Sequence, residues 1–146
     1  MKKILTYGTF DLLHYGHIEL LRRAREQGDC LIVALSTDEF NALKGKQAYH
    51  SYKVRKQMLE AISYVDRVIP EENWEQKPAD VRLFEIDTVV MGDDWKDDAH
   101  FTSTLEGLCN LVFLPRTPGV STSNIKGDLK LQEPVEGNTQ LPGESA

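Results

Sequence analysis

Short apolar runs alternating with helix-like stretches are the feature that most constrains how this chain can fold. Residues 4–10 (ILTYGTF), 31–35 (LIVAL), 67–69 (RVI), 87–91 (DTVVM) and 111–114 (LVFL) read as strands. Between them, Ile18, Leu20, Leu21 and Ala24 form one helical stripe, and Val54, Met58, Leu59, Ile62 and Val65 form another. LIVAL is apolar at every position, as expected of a strand covered on both faces. Strand and helix alternating along the chain predict an α/β class: a doubly wound parallel sheet of about five strands with right-handed crossovers. At 146 residues and 40% hydrophobic, the chain can fill one core but hardly two, so a single domain is expected over 1–131. From Glu133 onward Pro, Gly, Asn, Gln and Glu dominate, and 132–146 reads as a disordered tail.

Local signals place the joints. Gly28 is expected as the C-cap of the first helix, Thr37 and its neighbours as cap chemistry for a short second one, and Ser51 as the N-cap of a longer third. Pro70 is expected to end the third strand, and 71–77 reads as a polar loop carrying Trp74. Pro78 starts a helix through Phe84. Residues 92–98 read as an acidic binding loop, and a last short helix is expected around Ile125 and Leu129. Lys44-Gly45-Lys46 breaks the pattern with charge and glycine, as a mobile basic loop would. Arg55 lies off the apolar stripe of its helix.

Seventeen basic against 23 acidic residues give a net charge of −6, which disfavours a nucleic-acid or anionic-membrane surface, so any anion site must be local. The apolar run after Met1 breaks at Gly8 and Asp11, too short for a signal peptide or a spanning helix, and a cytoplasmic location without membrane insertion is expected. Cys30 and Cys109 border strand runs and read as small buried hydrophobes rather than a disulfide framework.

His14-Tyr15-Gly16-His17 falls at the turn from the first strand into the first helix. In open α/β sheets that turn faces the ligand crevice, and the helix N-terminus offers free N–H groups and a positive dipole end to an anion. Gly8 and Gly16 would let backbone approach a phosphate. Three residues apart, both imidazoles can project to one side. Each can donate to a phosphoryl oxygen as its charge grows. Two other readings stay open: histidines bonded only to backbone or solvent, and a metal pair with Asp11, Cys30 or Cys109 as further ligands, although neither cysteine has metal-type spacing. The chain has no G-x-G-x-x-G turn and no Walker lysine loop, so dinucleotide redox chemistry and P-loop hydrolysis find no support.

Taken together, TYGTFDLLHYGH, Lys44 and Lys46, MGDDW and RTPGVSTSNI resemble the cytidylyltransferase family, most closely its glycerol-3-phosphate branch, over about residues 1–130. The resemblance implies a Rossmann-like nucleotidyltransferase fold. It also implies transfer of CMP from CTP to sn-glycerol 3-phosphate by in-line attack on the α-phosphorus, with no covalent enzyme intermediate. In that reading His14 and His17 meet the triphosphate, backbone at Thr9 and Phe10 supports it, and Asp11 orients the histidines or caps the helix. Arg116, Thr117, Ser121 and Thr122 grip the β and γ phosphates, while Gly92, Asp94 and Trp95 form the cytosine pocket. Lys44 and Lys46 neutralise the two reacting phosphates, and Lys44, Arg55, Asp38 and Trp74 face the acceptor. Mg²⁺ is implied as a cofactor bound mainly through the CTP phosphates, with no metal site on the protein. The implied assembly is a homodimer, and the implied product, CDP-glycerol, would feed teichoic-acid or capsule polymers. Two positions depart from the pattern: Pro118 stands where a glutamate is often found, and Ser63 precedes Tyr64-Val65-Asp66 where the branch often has an arginine. Ribitol phosphate, phosphocholine or phosphoethanolamine as acceptor, an adenylyltransferase, and a non-catalytic nucleotide-binding module are the remaining readings.

Overall fold

Each apolar run enters one parallel sheet. The computed structural model describes residues 1–117. Expectations for Ser121, Thr122, the helix around Ile125 and Leu129, and the tail from 132 lie outside the described residues. The elements are β1 (Lys3–Gly8), α1 (Tyr15–Glu26), β2 (Cys30–Ser36), α2 (Asp38–Leu43), α3 (Tyr52–Glu60), β3 (Arg67–Glu71), α4 (Lys77–Leu83), β4 (Thr88–Gly92), a 3₁₀ turn (Asp93–Trp95), α5 (Ala99–Leu105) and β5 (Asn110–Leu114). The spatial order is β3-β2-β1-β4-β5, with every neighbouring pair parallel. The chain steps outward from β1 to β3, then returns to build β4 and β5 on the other side. That reversal opens a crevice beyond the carboxyl ends of β1 and β4, the usual ligand position in such sheets.

Alternation along the strands fills both faces. Ile4, Leu31, Val33, Leu35 and Val90 pack with Leu21 and Ala24 of α1 and Leu59 of α3. Leu5, Ile32, Ala34, Val89 and Met91 pack on the opposite face with Val81 of α4 and Phe101 and Leu105 of α5. Burying apolar strand residues on both faces requires helices on both sides, which is the doubly wound arrangement.

Several local expectations are corrected. β1 stops at Gly8 rather than residue 10, because Phe10 and Leu12 take φ of 48° and 49° and turn the chain out of the sheet. The close approach that Gly8 allows is to the Phe10 ring, 2.7 Å from where a Cβ would lie. The C-cap of α1 is Gln27, and Gly28 is needed because a Cβ there would sit 2.7 Å from the Lys2 carbonyl oxygen. Pro70 lies inside β3, paired with Leu35, since an edge strand tolerates a missing N–H. The acidic segment after Trp95 leads into α5, capped by Asp98 through the Phe101 N–H. In α3 the stripe rotates: Val54 and Met58 are partly exposed, at 37% and 38%, and Arg55 is buried with Leu59.

Among the described residues Arg55 is the largest fully buried side chain. Its Nε donates to the His50 carbonyl (3.0 Å), Nη1 to the Thr9 (3.0 Å) and Ser36 (2.7 Å) carbonyls, and Nη2 to Asp38 Oδ1 (2.8 Å). Asp38 also accepts the Tyr52 N–H. One planar fork therefore fastens the chain after β1, the end of β2 and the segment before α3 at the mouth of the crevice. Arg55→Lys keeps the charge but cannot reach four acceptors, and should lower unfolding free energy by about 2–5 kcal/mol in urea denaturation. Gly28→Ala should cost about 1–3 kcal/mol by the same measurement, because backbone rather than a flexible side chain stands in the way.

Candidate active site

A cleft of about 610 Å³ opens at the carboxyl edge of the sheet. It is lined by the end of β1 and the following turn, the start of α1, the 44–48 segment, and the ends of β3, β4 and β5. His14 and His17 line the same cleft as Arg116 and Thr117, so motifs about a hundred residues apart in sequence share one cavity.

The histidines are fixed by helix-capping chemistry. His14 is the N-cap of α1, with extended backbone, and its Nδ1 accepts the Gly16 N–H at 3.0 Å. His17 reaches back so that its Nδ1 accepts the His14 N–H at 3.3 Å. This is a reciprocal capping box with imidazoles in place of the usual hydroxyl and carboxylate. The rings stack with centroids 3.9 Å apart and a 24° tilt. Because Nδ1 is the acceptor in both, this pattern assigns the proton of each neutral ring to Nε2. Burial and the neighbouring His14 push His17 down to about 4 from its ordinary 6.5, against a smaller opposing pull from Asp11. Burial also lowers His14. Near neutral pH the pair is thus two uncharged N–H donors. The backbone-bonded reading accounts for Nδ1 alone.

Asp11 lines the cleft but does not cap α1. It is buried, and its two oxygens accept the Tyr49 (2.6 Å) and His50 (3.1 Å) N–H groups, pinning the 49–50 segment against the turn. Thr9 and Phe10 also line the cleft, with the Thr9 hydroxyl donating to Asn41 Oδ1.

Arg116, also lining the cleft, is exposed and its Nη2 lies 3.2 Å from Asp94 Oδ2. Gly92 caps the 3₁₀ turn that carries Asp94 and Trp95, and Trp95 packs on Phe101 at 5.5 Å while remaining partly exposed. Arg23, for which the sequence carries no site signal, also lines the cleft and donates to the Pro115 carbonyl. An arginine on the polar side of an amphipathic helix gives no sign of reaching a neighbouring loop.

Lys44 and Lys46 border the cleft on either side of Gly45, whose φ of 72° makes the turn. Lys44 Nζ sits 4.5 Å from the centre of the Phe40 ring, and partial burial lowers its pKa. Trp74 lines the same end, edge-on to Phe40 at 4.9 Å. Asp38 and Arg55, expected to face an acceptor, are not among the residues lining the cleft, because they are joined to each other and to loop backbone. Tyr7, Glu71 and Lys77 line it instead. Glu71 and Lys77, the ends of the segment that the sequence marks as a polar loop, are both buried. Among the described residues no three His, Cys, Asp or Glu side chains are placed to hold a metal ion, and no helix is long and apolar enough to cross a membrane.

The cytidylyltransferase-like family model matches residues 5–128. The chain is 59% identical over 129 residues to the glycerol-3-phosphate cytidylyltransferase of Staphylococcus aureus, covering 88% of this chain and 96% of that protein. It is also 59% identical over 129 residues to the Bacillus subtilis enzyme of that name, covering 88% and 98%. Among solved structures, a lipopolysaccharide core biosynthesis protein from Thermoplasma volcanium superposes with a TM-score of 0.68 at 26% identity, over 80% of this chain and 97% of that one. The doubly wound sheet, the paired-histidine turn and these matches agree: the chain belongs to the cytidylyltransferase-like family, alongside the glycerol-3-phosphate cytidylyltransferases.

Proposed function

We propose that this chain transfers CMP from CTP to sn-glycerol 3-phosphate, giving CDP-glycerol and pyrophosphate. The observation that carries the reading is the meeting of the two imidazoles with Arg116 and Thr117 around one cleft, in a chain that matches glycerol-3-phosphate cytidylyltransferases over nearly their whole length. A phosphate oxygen of the acceptor attacks the α-phosphorus as the bond to the bridging oxygen breaks, and pyrophosphate leaves. No side chain becomes covalently attached. Catalysis is positioning together with stabilisation of charge that grows on the phosphoryl and bridging oxygens.

His14 and His17 present Nε2–H groups to those oxygens. Neutral donors suit the task because two imidazolium rings at 3.9 Å would repel each other before substrate arrived. Arg116 and Thr117, with Ser121 and Thr122 beyond them, take the β and γ phosphates; Arg116 leaves Asp94 to do so. Asp94 is then free to accept from the exocyclic amine of cytosine, which uracil lacks, beside Gly92 and Trp95. Thr9 and Phe10 support the phosphates, and Asp11 and Arg55 hold the surrounding loops in place.

Lys44 and Lys46 neutralise the α-phosphate and the incoming phosphate, two anions that otherwise repel. Five Lys and Arg side chains and two imidazoles line the cleft against four carboxylates, and no three His, Cys, Asp or Glu side chains among the described residues converge there, which supports Mg²⁺ carried in on the nucleotide's phosphates rather than held in a protein cage. When bound there the ion neutralises triphosphate charge. The catalytic unit is taken as residues 1–131, acting as a homodimer in the cytoplasm and supplying CDP-glycerol to a glycerol-phosphate polymer.

His14→Ala or His17→Ala should each lower turnover by about 10² or more while retaining the fold, read by pyrophosphate release and circular dichroism. A panel of CTP, UTP, ATP and GTP against glycerol 3-phosphate, ribitol phosphate, phosphocholine and phosphoethanolamine should give a signal only with CTP and best with glycerol 3-phosphate. Tight CTP binding with no acceptor consumed would mean a binding module instead. The depressed His17 also predicts a stability profile. Above pH 6.5 folded and unfolded rings are both neutral; as pH falls from 6.5 towards about 4 the unfolded ring gains a proton that the folded one resists, so stability falls. His17→Asn should flatten urea-derived unfolding free energy across that window.

A further inference from the structure

Three arginines stand close together on α1, and one of them behaves differently from the other two. Arg22 pairs with Glu19 at 2.6 Å and Glu26 at 2.7 Å, while Arg25 pairs with Asp66 at 3.2 Å and donates to the Gly28 carbonyl. Such pairs are ordinary on a solvated helix surface. Arg23 makes none. The carboxylates within helical reach of it, four residues before and three after, are the two that Arg22 already holds. Among the described residues its one bond runs from Nη1 to the Pro115 carbonyl at 3.1 Å, and it forms no ion pair.

Helix geometry brings this unpaired cation to the cleft. His14, His17, Leu20 and Arg23 follow one another at intervals of three from the cap of α1 onward, and all four line the cavity. Six residues place Arg23 about 9 Å along the helix axis from His17, a distance that a triphosphate and an arginine side chain bridge together. The Pro115 bond sets Arg23 beside the residue that precedes Arg116, so two guanidinium groups from distant parts of the chain border the same cavity. That bond occupies one of the guanidinium's five N–H donors and leaves the rest for a ligand. A planar cation without a carboxylate, lining a cleft, is suited to a phosphate.

Resting on the function proposed above, we infer that Arg23 is a further phosphate-binding residue, which together with Arg116 holds the terminal phosphates of the nucleotide. The Pro115 carbonyl fixes the guanidinium before the nucleotide arrives, so little side-chain freedom is lost on binding. One helix then carries both the imidazoles at the α-phosphorus and a cation at the departing pyrophosphate, which keeps the reacting bond aligned between them. Negative charge that accumulates on the pyrophosphate as it leaves meets two guanidinium groups rather than one.

The test is calorimetric titration of CTP, with Mg²⁺ present, into the wild-type protein, Arg23→Gln, Arg116→Gln and the double variant. Arg23→Gln should weaken CTP binding by about 10-fold or more, the usual loss for a charge-assisted hydrogen bond. KM for glycerol 3-phosphate should stay within about 2-fold, with thermal unfolding unchanged. The double variant separates contact with phosphate from a purely structural role. If Arg23 touches phosphate, its loss costs a further factor of about 10 in the Arg116→Gln background; if it acts only by holding Pro115 in front of Arg116, that cost vanishes once Arg116 is gone. Wild-type CTP affinity in Arg23→Gln overturns the inference, as does a double variant no weaker than Arg116→Gln. A wild-type protein that does not bind CTP overturns the functional reading itself, and this inference with it.

Discussion

A single buried guanidinium determines the shape of the cleft. Parallel strands end with their loops free to diverge, and past the Thr37 N–H on the Glu71 carbonyl the sheet ladder does not hold the loops that follow β1 and β2 together. Arg55 supplies that constraint by donating to carbonyls from three separate segments and to Asp38. Asp11 does the reciprocal work with N–H groups of residues 49 and 50. The cation and the anion together convert the turn after β1 and the segment before α3 into one rigid rim. A substrate-facing group on that rim then costs little reorganisation when charge develops.

The chemistry grows from the same economy of backbone groups. A helix start has unpaired N–H groups, and here the histidines satisfy two of them through Nδ1. Capping the helix and choosing the tautomer are therefore one event, which leaves Nε2–H as the remaining polar group on each ring. Stacking at 3.9 Å and burial hold the pair neutral. Positive charge is placed elsewhere, on Arg116 at one end and on Lys44 and Lys77 at the other.

Much of this was legible before any coordinates. The run at residues 31–35 is apolar at every position, which points to a strand covered on both faces, and the His-Tyr-Gly-His turn falls at the strand-to-helix joint its flanks indicate. α5 was not legible, because Phe101 and Leu105 are its only buried residues and a single i,i+4 pair is no periodic signal. Arg55 was read as an acceptor contact off the apolar stripe, since sequence gives no hint that a charged residue will be buried by carbonyls from distant loops. Asp11 was given as a histidine partner or a cap, and the cap proved to be His14 itself. Glu71 and Lys77 were missed for a related reason: six residues apart across a polar segment, they meet only because β3 and α4 fold back on each other.

The central claim is that His14 and His17 stand as neutral Nε2–H donors facing the nucleotide's phosphates. Imidazole ¹⁵N NMR of the full chain at pH 7, with and without CTP, tests it most directly. The account predicts that both rings carry their proton on Nε2 in the free protein, and that CTP moves both Nε2 resonances with little change at Nδ1. Rings protonated on Nδ1, or Nε2 resonances indifferent to saturating CTP, would contradict it.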